Sequence, residues 1–322
     1  MHHILFQGER YAALEGESVL DCLLRHGIAL SHSCKSGVCQ SCIVRATAGE
    51  IPAKAQSGLR DTLRAQGYAL ACSFVPESDV EIALIDTALL RTRAQIVAIE
   101  PLNATVMHLL VRPEKPIEHR AGQYMNLVRE DGLVRSYSIA SVPEDDSDLS
   151  FHVALVADGR MSGWVHSGAA HGAAIEILGP VGNCFYVPGA PEQPLFLAGT
   201  GTGLAPLYGI VRDALRCGHA GTIHLFHGSI RPEGLYLVEE LRALAARFPN
   251  LRYYPCALQG EADGVSIMPL DQLGLQTVPK LGGHKVYLCG HPDFVRMMQR
   301  KVFLAGASLA DIYADAFVPS PA

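Results

Sequence analysis

Four cysteines in the first quarter of the chain constrain its fold most, because their spacing suits a metal cluster. Cys34, Cys39 and Cys42 follow the pattern C-x4-C-x2-C, and Cys72 comes 30 residues later. This is the spacing of four thiolates around a two-iron, two-sulfur cluster, and soft thiolates suit iron–sulfur centres. The alternatives are four stray cysteines or a zinc site, but zinc usually takes paired C-x2-C units and this set has only one. The spacing therefore predicts a [2Fe-2S] cluster bound by all four cysteines.

The composition of the chain excludes several classes of protein. Its 322 residues are 49% hydrophobic and 18% charged, which predicts two or three domains with sizeable cores. The net charge of −6 gives no reason to expect a nucleic-acid partner. The sequence shows neither a long uncharged apolar run nor a secretory signal, and its nine cysteines, an odd number, favour reduced thiols. Together these features predict a cytoplasmic enzyme that does not span a membrane.

Hydrophobic patterns divide the chain into three segments. Residues 1–88 combine short strands with a helix that begins at Ser18 and ends before Gly27, the order of a small α+β domain. Residues 92–190 hold several short strand patterns, which predict an antiparallel barrel. These patterns are residues 93–99, 106–111, 124–128, 136–140, 149–156 and 174–178.

The third segment, residues 191–322, alternates strands with helices, which predicts a parallel sheet covered by helices. The predicted strands are residues 195–198, 222–226, 252–257 and 285–288. The predicted helices are residues 206–216, 237–247 and 294–304. The overall fold class is therefore multidomain, α+β and then α/β.

The cysteine-rich loop carries the first family resemblance. Its sequence from Cys34 to Cys42, CKSGVCQSC, resembles the cluster loop of plant-type ferredoxins. The resemblance implies a β-grasp fold for residues 1–88. Gly37 suits a backbone that wraps closely around a cluster, whereas Gln40 stands where family members commonly have glycine. The remaining cysteines apart from Cys289 are expected as small core residues. They are Cys22, Cys184, Cys217 and Cys256.

Three motifs of the second segment together suggest a flavin. Arg135 and Tyr137 lie on one face of a predicted strand, where a cation and an aromatic ring can serve a phosphate and a flat ring. Residues 159–165 open a short helix, whose free N–H groups suit a pyrophosphate, and residues 179–182 close the barrel. The first motif alone is typical of a surface strand. In this order the motifs resemble the FAD-binding domain of the ferredoxin–NADP reductase superfamily.

This resemblance implies individual roles toward FAD. Arg135 would contact the pyrophosphate, Tyr137 would pack on the isoalloxazine ring, and Ser138 would hydrogen-bond near its reactive edge. The remaining expected cofactor contacts, from the start of the short helix, are Gly159, Met161 and Ser162. The alternative for the side chains of Met161 and Trp164 is the barrel core, and for Trp164 the core is the prediction.

A glycine-rich loop in the third segment resembles the nicotinamide-binding loop of the same superfamily. Residues 199–206, GTGTGLAP, follow a predicted strand, and glycines there let a ligand approach the backbone. The spacing is not the G-x-G-x-x-G fingerprint, so the resemblance carries the assignment. It implies that the coenzyme contacts Gly201, Thr202 and Gly203.

Two later motifs also resemble that superfamily. In residues 289–292, CGHP, the resemblance places Cys289 and Gly290 beside the nicotinamide, with His291 replacing the usual proline. The alternative is a buried cysteine ahead of a helix. Near the C-terminus, Phe317 either lies beside the flavin, as an aromatic residue does in related reductases, or anchors the tail.

The choice between NADH and NADPH depends on the segment after the strand at residues 222–226. Ser229 and Arg231 favour a 2′-phosphate, whereas Glu233 favours a free ribose hydroxyl. One cation without a second nearby makes a thin phosphate pocket, so the sequence predicts NADH rather than NADPH. The alternative for Arg231 is a solvated loop charge.

The order of the three segments resembles the reductase components of Rieske dioxygenases and multicomponent monooxygenases. The resemblance implies a monomer that passes electrons from NADH through FAD and the cluster to an oxygenase or ferredoxin acceptor. The residues expected to take part at the reacting rings are Tyr137, Ser138, Cys289 and Phe317. Two alternatives remain at this point, a reductase for another acceptor such as a deoxysugar dehydratase, and a slow redox-sensing subunit.

Overall fold

The computed structural model describes residues 2–30, 32, 35, 37, 42–84 and 91–317. The chain divides into two units, Met1–Ala88 and Leu89–Ala322. Cys34 and Cys39, two of the predicted cluster ligands, lie outside the described residues. Within the described part of the chain, each helix is too short or too polar to cross a membrane.

The first unit is a five-stranded mixed sheet with two short helices. Its strands are β1 (His3–Phe6), β2 (Glu9–Ala12), β3 (Ile43–Ala48), β4 (Tyr68–Leu70) and β5 (Val80–Ala83), and its helices are α1 (Val19–Arg25) and α2 (Asp61–Ala65). The strand order is β2-β1-β5-β3-β4, in which β1 and β5 are parallel and the other neighbours antiparallel.

Helix α1 forms as its sequence predicts. The Ser18 hydroxyl caps it by accepting a hydrogen bond from Asp21 N at 3.1 Å. Leu20 and Leu23, on one face, are fully buried in the core of this unit. Gly27 then ends the helical segment with a φ of +78°, which favours glycine.

The second unit begins with the antiparallel barrel. Its strands are β6 (Arg91–Asn103), β7 (Val106–Pro113), β8 (Tyr124–Val128), β9 (Val134–Ser138), β10 (Leu149–Ala154) and β11 (Ala174–Val181), with helix α3 (Arg160–His166) after β10. The sheet order is β10-β7-β6-β11-β8-β9, and a bridge between Ile139 and Phe151 joins the two edge strands. That bridge closes the sheet, which removes its free edges. The predicted antiparallel barrel is confirmed.

The predicted parallel sheet is also confirmed, and it has six strands. They are β12 (Leu195–Thr200), β13 (Ile223–Ser229), β14 (Leu251–Ala257), β15 (Ser266–Ile267), β16 (Lys285–Gly290) and β17 (Ile312–Ala316). The helices are α4 (Leu204–Arg216), α5 (Val238–Arg247), α6 (Leu270–Thr277) and α7 (Pro292–Leu304). The order is β15-β14-β13-β12-β16-β17, so the strand order reverses between β12 and β16. Apolar cores cover both faces of the sheet, as the continuous apolar runs of its strands require.

Helix α4 lies directly against the barrel. A Cβ atom at Gly209 would lie 2.8 Å from the carbonyl oxygen of Ala140 and 2.9 Å from the Cβ of Ala121. Arg212 strengthens the same contact through two hydrogen bonds to the carboxylate of Asp146, at 2.7 and 3.0 Å. The barrel and the parallel sheet therefore share a close, specific interface.

Candidate active site

Two of the four predicted cluster ligands are described, and they lie together. Cys42 is 4% exposed, and its thiol is close enough to interact with that of Cys72, without a disulfide between them. The carbonyl oxygen of Cys42 accepts a hydrogen bond from Ala71 N at 3.0 Å, which holds the two segments side by side. Burial raises the pKa of the Cys42 thiol, and a hydrogen bond from the backbone of Cys72 opposes the rise. A pair of soft sulfur donors in an apolar setting fits an iron–sulfur cluster.

The loop around the cluster position is closely packed where it is described. Gly37 has a φ of +77°, and a Cβ atom there would lie 2.7 Å from the hydroxyl oxygen of Ser73, next to Cys72. Lys35 forms an ion pair with Asp21 at 3.0 Å. The positive φ and the close approach to Ser73 both favour glycine at position 37.

Strand β9 presents the flavin residues predicted from the sequence. Arg135 and Tyr137 alternate onto one face and are both half-buried. Tyr137 packs against the barrel core, and burial raises the pKa of its hydroxyl to about 12, so the ring is neutral. A cation, a neutral aromatic ring and the buried hydroxyl of Ser138 on one strand fit a flavin with a pyrophosphate tail.

Ser138 joins the barrel to the parallel sheet. Its hydroxyl donates a hydrogen bond to the carboxylate of Asp315 on β17 at 3.0 Å. Burial raises the pKa of Asp315, and this hydrogen bond opposes the rise. Sequence reasoning did not select Asp315, and no local pattern identifies it, because the residue that it meets is 177 positions away.

The side chains at the start of helix α3 make contacts within the chain itself. Met161 is 3% exposed and its side chain belongs to the barrel core. The hydroxyl of Ser162 is engaged locally, since it accepts from Val156 N at 3.2 Å and donates to Gly159 O at 3.3 Å. The Ser162 side chain therefore stabilises the turn itself, whereas that of Met161 stabilises the barrel core. Trp164 packs against the core as predicted, beneath the guanidinium of Arg129.

The glycine-rich loop forms a 3₁₀ turn, Gly201–Gly203, between β12 and α4. A Cβ atom at Gly203 would lie 2.3 Å from the carbonyl oxygen of Cys289, and one at Gly199 would lie 2.7 Å from Leu207. These two glycines allow the chain to pack on itself. Among Gly199, Gly201 and Gly203, only Gly201 is next to open space: it has a φ of +55° and no atom within 4 Å of its Cβ position. It is the glycine at which a ligand can approach the backbone.

The loop after β16 packs on the glycine-rich loop. Gly290 has a φ of +122°, and a Cβ atom there would lie 2.6 Å from the Thr200 hydroxyl oxygen. His291, in place of the family's proline, caps α7 by accepting from Asp293 N at 3.3 Å. Phe317 is half-buried, and its N–H donates to Gly290 O at 2.9 Å, which anchors the chain after β17.

Cys289 is fully buried at the junction of the barrel and the parallel sheet. Its sulfur lies 3.8 Å from that of Cys184, which follows β11 of the barrel. Burial raises the pKa of the Cys289 thiol strongly. It pairs with Asp315 in the β16–β17 register, so Ser138, Asp315 and Cys289 converge at one place. Of the four cysteines expected in the core, Cys217 is instead exposed.

The predicted coenzyme-selecting residues lie at the end of β13 and in the loop that follows it. The Ser229 hydroxyl donates to the carbonyl oxygen of Arg231 at 2.5 Å, whereas the side chains of Arg231 and Glu233 are exposed. Sequence reasoning missed a contact from the barrel to this loop, made by the side-chain amide of Asn103. No local pattern predicts it, because the two segments are about 130 residues apart.

Comparisons with known proteins match all three parts of the chain. Residues 4–77 match a 2Fe-2S iron-sulfur cluster binding domain, residues 97–186 an oxidoreductase FAD-binding domain and residues 197–300 an oxidoreductase NAD-binding domain. A ferredoxin–NAD(P)(+) reductase component of naphthalene 1,2-dioxygenase/salicylate 5-hydroxylase systems from a Ralstonia species is 34% identical, covering 95% of this chain and 94% of its own. The reductase component of phenol 2-monooxygenase from a Pseudomonas species is 31% identical, covering 92% and 91%.

Solved structures show the same architecture over the full length. The cytochrome P450 reductase of Amycolatopsis superposes with a TM-score of 0.69 at 28% identity, covering 99% of both chains. The ferredoxin reductase of carbazole 1,9a-dioxygenase superposes with a TM-score of 0.63 at 23% identity, covering 98% of both, and supports the fold alone.

Proposed function

We propose that this chain, which belongs to the FAD- and [2Fe-2S]-containing reductases of the ferredoxin–NADP reductase superfamily, passes electrons from NADH to an oxygenase component. It is an oxidoreductase whose cofactors are FAD, a [2Fe-2S] cluster and a nicotinamide coenzyme. When bound, FAD accepts a hydride and releases single electrons, which suit the cluster. The observation that carries the proposal is the convergence of Ser138 from the barrel with Asp315 and Cys289 from the parallel sheet.

The barrel residues would bind and orient the flavin. Arg135 offers a permanent positive charge for the pyrophosphate. Tyr137 offers a neutral ring on the same face, because its pKa of about 12 excludes the phenolate. The Ser138 proton is committed to Asp315, so the Ser138 oxygen retains acceptor capacity toward a ring N–H. Because its pKa is raised, the Asp315 carboxyl beside that hydroxyl holds a proton more readily than an exposed aspartate does.

The parallel sheet would bring the nicotinamide to the same place. In open α/β sheets, ligands bind beyond the carboxyl ends of the strands where the strand order reverses. That point lies between β12 and β16, where the turn at Gly201–Gly203 meets Cys289 and Gly290. The burial of Cys289 keeps its thiol neutral, so it packs as a small apolar group and excludes water. Phe317, held beside Gly290, would cover the same region.

NADH is the coenzyme that the loop after β13 favours. Residues 229–235 contain one basic residue, Arg231, and it is exposed, while Glu233 adds a negative charge nearby. The doubly negative 2′-phosphate of NADPH would find only one positive side chain there to balance its charge. We expect kcat/KM to be at least tenfold higher for NADH than for NADPH, about 1.4 kcal/mol. A tenfold preference for NADPH would contradict this assignment.

The acceptor is proposed from the relatives, whose names place them in aromatic oxygenase systems. We further propose that the reductase is a cytoplasmic monomer. Analytical ultracentrifugation tests its oligomeric state, and cell fractionation tests its location.

The central experiment follows the flavin and the cluster in the loaded protein. Mixed with NADH without oxygen, the flavin absorbance should bleach rapidly, and both ferricyanide and cytochrome c should then be reduced in steady state. Extraction should release FAD. Extraction of FMN would overturn the FAD assignment and place the chain in another branch of the superfamily. A turnover too slow to follow in steady state would exclude this function and favour a sensing subunit.

A further inference from the structure

The residues on either side of one barrel hairpin's tip pack against the parallel-sheet half of the unit. β6 ends at Asn103 and β7 begins at Val106, with a register shift between Pro101 and Asn103. Val106 is 4% exposed and belongs to the core on the α4–α5 face of the parallel sheet, and Leu102 packs against that core. A shift of this kind redirects side chains near the end of a hairpin. Asn103 thereby points toward the neighbouring sheet.

The side-chain amide of Asn103 has a defined orientation. Its oxygen accepts hydrogen bonds from Thr105 N at 2.9 Å and from the Thr105 hydroxyl at 3.2 Å. The amide nitrogen, which carries two donor hydrogens, therefore faces the loop after β13. It lies 3.2 Å from the carbonyl oxygen of Gly234 and 3.4 Å from those of Glu233 and Leu235. One side chain thus satisfies consecutive carbonyl groups of that loop.

The same loop is held by the barrel a second time. Tyr236 and His152 of β10 are both buried, and the Tyr236 hydroxyl lies 3.1 Å from His152 Nδ1. Burial lowers the pKa of His152 to about 3, so this is a hydrogen bond between neutral groups. The next residue, Leu237, has a φ of +54°, a left-handed conformation that costs a non-glycine residue energy. Contacts from the barrel therefore hold the loop after β13, which leads directly into the strained residue Leu237.

The position of this loop gives the contacts a function. Residues 230–236, here called the coenzyme loop, follow the carboxyl end of β13, beside the end of β12 and its glycine turn. We propose that Asn103 of the barrel is a positioning residue for the adenosine end of the coenzyme, holding the coenzyme loop in its binding conformation with support from Tyr236 and His152. This inference rests on the proposed function, which places the coenzyme at that edge of the sheet.

The test replaces Asn103 without changing its size. Asn103→Asp keeps an oxygen for Thr105 N but replaces the donor nitrogen with an anionic oxygen that faces three carbonyls. The control is Gln95→Ala, also on β6, whose amide donates at 3.3 Å to Gly172 O within the barrel. We measure kcat and KM for NADH with ferricyanide, and the Ki of adenosine 5′-monophosphate as a competitor that occupies only the adenosine end.

We expect Asn103→Asp to raise both the KM for NADH and the Ki of adenosine monophosphate at least threefold, with kcat within twofold of wild type. Gln95→Ala should change neither constant by as much as twofold. A rise below threefold in either constant, or a fall in kcat at unchanged KM, would overturn the inference. The split between KM and kcat separates positioning from a general loss of structure.

A second variant covers the case in which Asn103→Asp fails to retain FAD. Tyr236→Phe removes the hydroxyl that meets His152 and keeps the ring, and it should raise the same two constants at least threefold. Flavin bleaching of the wild-type protein by NADH is measured first. Its absence would refute the proposed function, whereas normal bleaching with variants that behave like Gln95→Ala would refute only the role of the loop contacts.

Discussion

Gly203 allows the sharpest test of the proposed nicotinamide site, because its substitution adds one methyl group at a place without room. A Cβ atom there would lie 2.3 Å from Cys289 O, 2.6 Å from Cys289 C and 2.8 Å from Gly290 Cα. All three are backbone atoms, which cannot rotate away as a side chain does. Gly203→Ala must therefore separate the glycine turn from the end of β16.

The size of the effect follows from these distances. Ordinary contact between a methyl carbon and backbone atoms is about 3.5 Å, so the loops must part by about 1 Å. A misplacement of about 1 Å in the reacting groups costs on the order of 100-fold in rate, which is about 2.7 kcal/mol of activation free energy. Crowding of this kind also lowers stability by about 1–3 kcal/mol.

The backbone of Gly203 makes this test clean. Its φ of −58° and ψ of −15° suit any residue, so alanine on its own would stabilise the chain by about 0.4–1 kcal/mol through the unfolded state. A loss of stability therefore reports the clash. Gly282→Ala is the matched control, since the nearest atom to its Cβ position is 3.9 Å away and its φ is not positive.

The assay is stopped-flow bleaching of the bound flavin by NADH, together with thermal unfolding. Gly203→Ala should slow the bleaching by about two orders of magnitude, whereas Gly282→Ala should match wild type. A Gly203→Ala protein that bleaches within threefold of the wild-type rate and unfolds no earlier than Gly282→Ala would refute the reasoning.

Three further substitutions test the other parts of the site. Cys42→Ser should lower cytochrome c reduction at least tenfold while ferricyanide reduction persists. Cys22→Ala, at another buried thiol of the same unit, should leave both activities intact. Equal loss of both activities in Cys42→Ser would contradict the assignment of cytochrome c reduction to the cluster and ferricyanide reduction to the flavin. Arg135→Ala should weaken FAD binding by roughly tenfold to a hundredfold, because it removes a charge-assisted contact worth about 1.5–3 kcal/mol. Titration of the apoprotein with FAD measures this, and Arg112→Ala on the barrel surface is the control. The stability of Asp315→Asn relative to wild type should increase as pH rises from about 4 through the raised pKa of Asp315, because wild type loses stability as that carboxyl ionises in the fold, about 1.4 kcal/mol for each unit by which its pKa is raised. A difference in melting temperature between the two proteins that stays constant over this pH range would exclude this.

Local features of the sequence predicted most of the fold. The Ser18 cap, the strand at residues 124–128 and the helix before Arg216 depend on neighbouring residues and periodicity, and the structure shows each of them. Strand β17 escaped prediction, because Asp315 interrupts a short apolar run whose burial depends on a distant neighbour, β16. Propensity and spacing do not contain that information.

The site shows the same limit. The sequence identified Arg135, Tyr137 and Ser138 as neighbours, but the acid that Ser138 meets is 177 residues away. The glycine-rich loop was identified by its composition, yet only the packing distinguishes Gly201, which is open, from Gly203, which is filled by Cys289. Whether a glycine serves a ligand or the chain itself is decided by tertiary contacts.

The bare backbone at Gly209 limits how this reductase can be recombined with its relatives. Helix α4 rests on Ala121 and Ala140 with no side chain between, so the thickness of one methyl group sets the gap between the two halves of the second unit. Hydride transfer needs the reacting atoms within about 3–3.5 Å, so a chimera that joins this parallel sheet to a foreign barrel must reproduce that clearance. A barrel with a residue bulkier than alanine at position 121, whose Cβ faces Gly209, would push helix α4 away and keep the flavin and the nicotinamide too far apart to react.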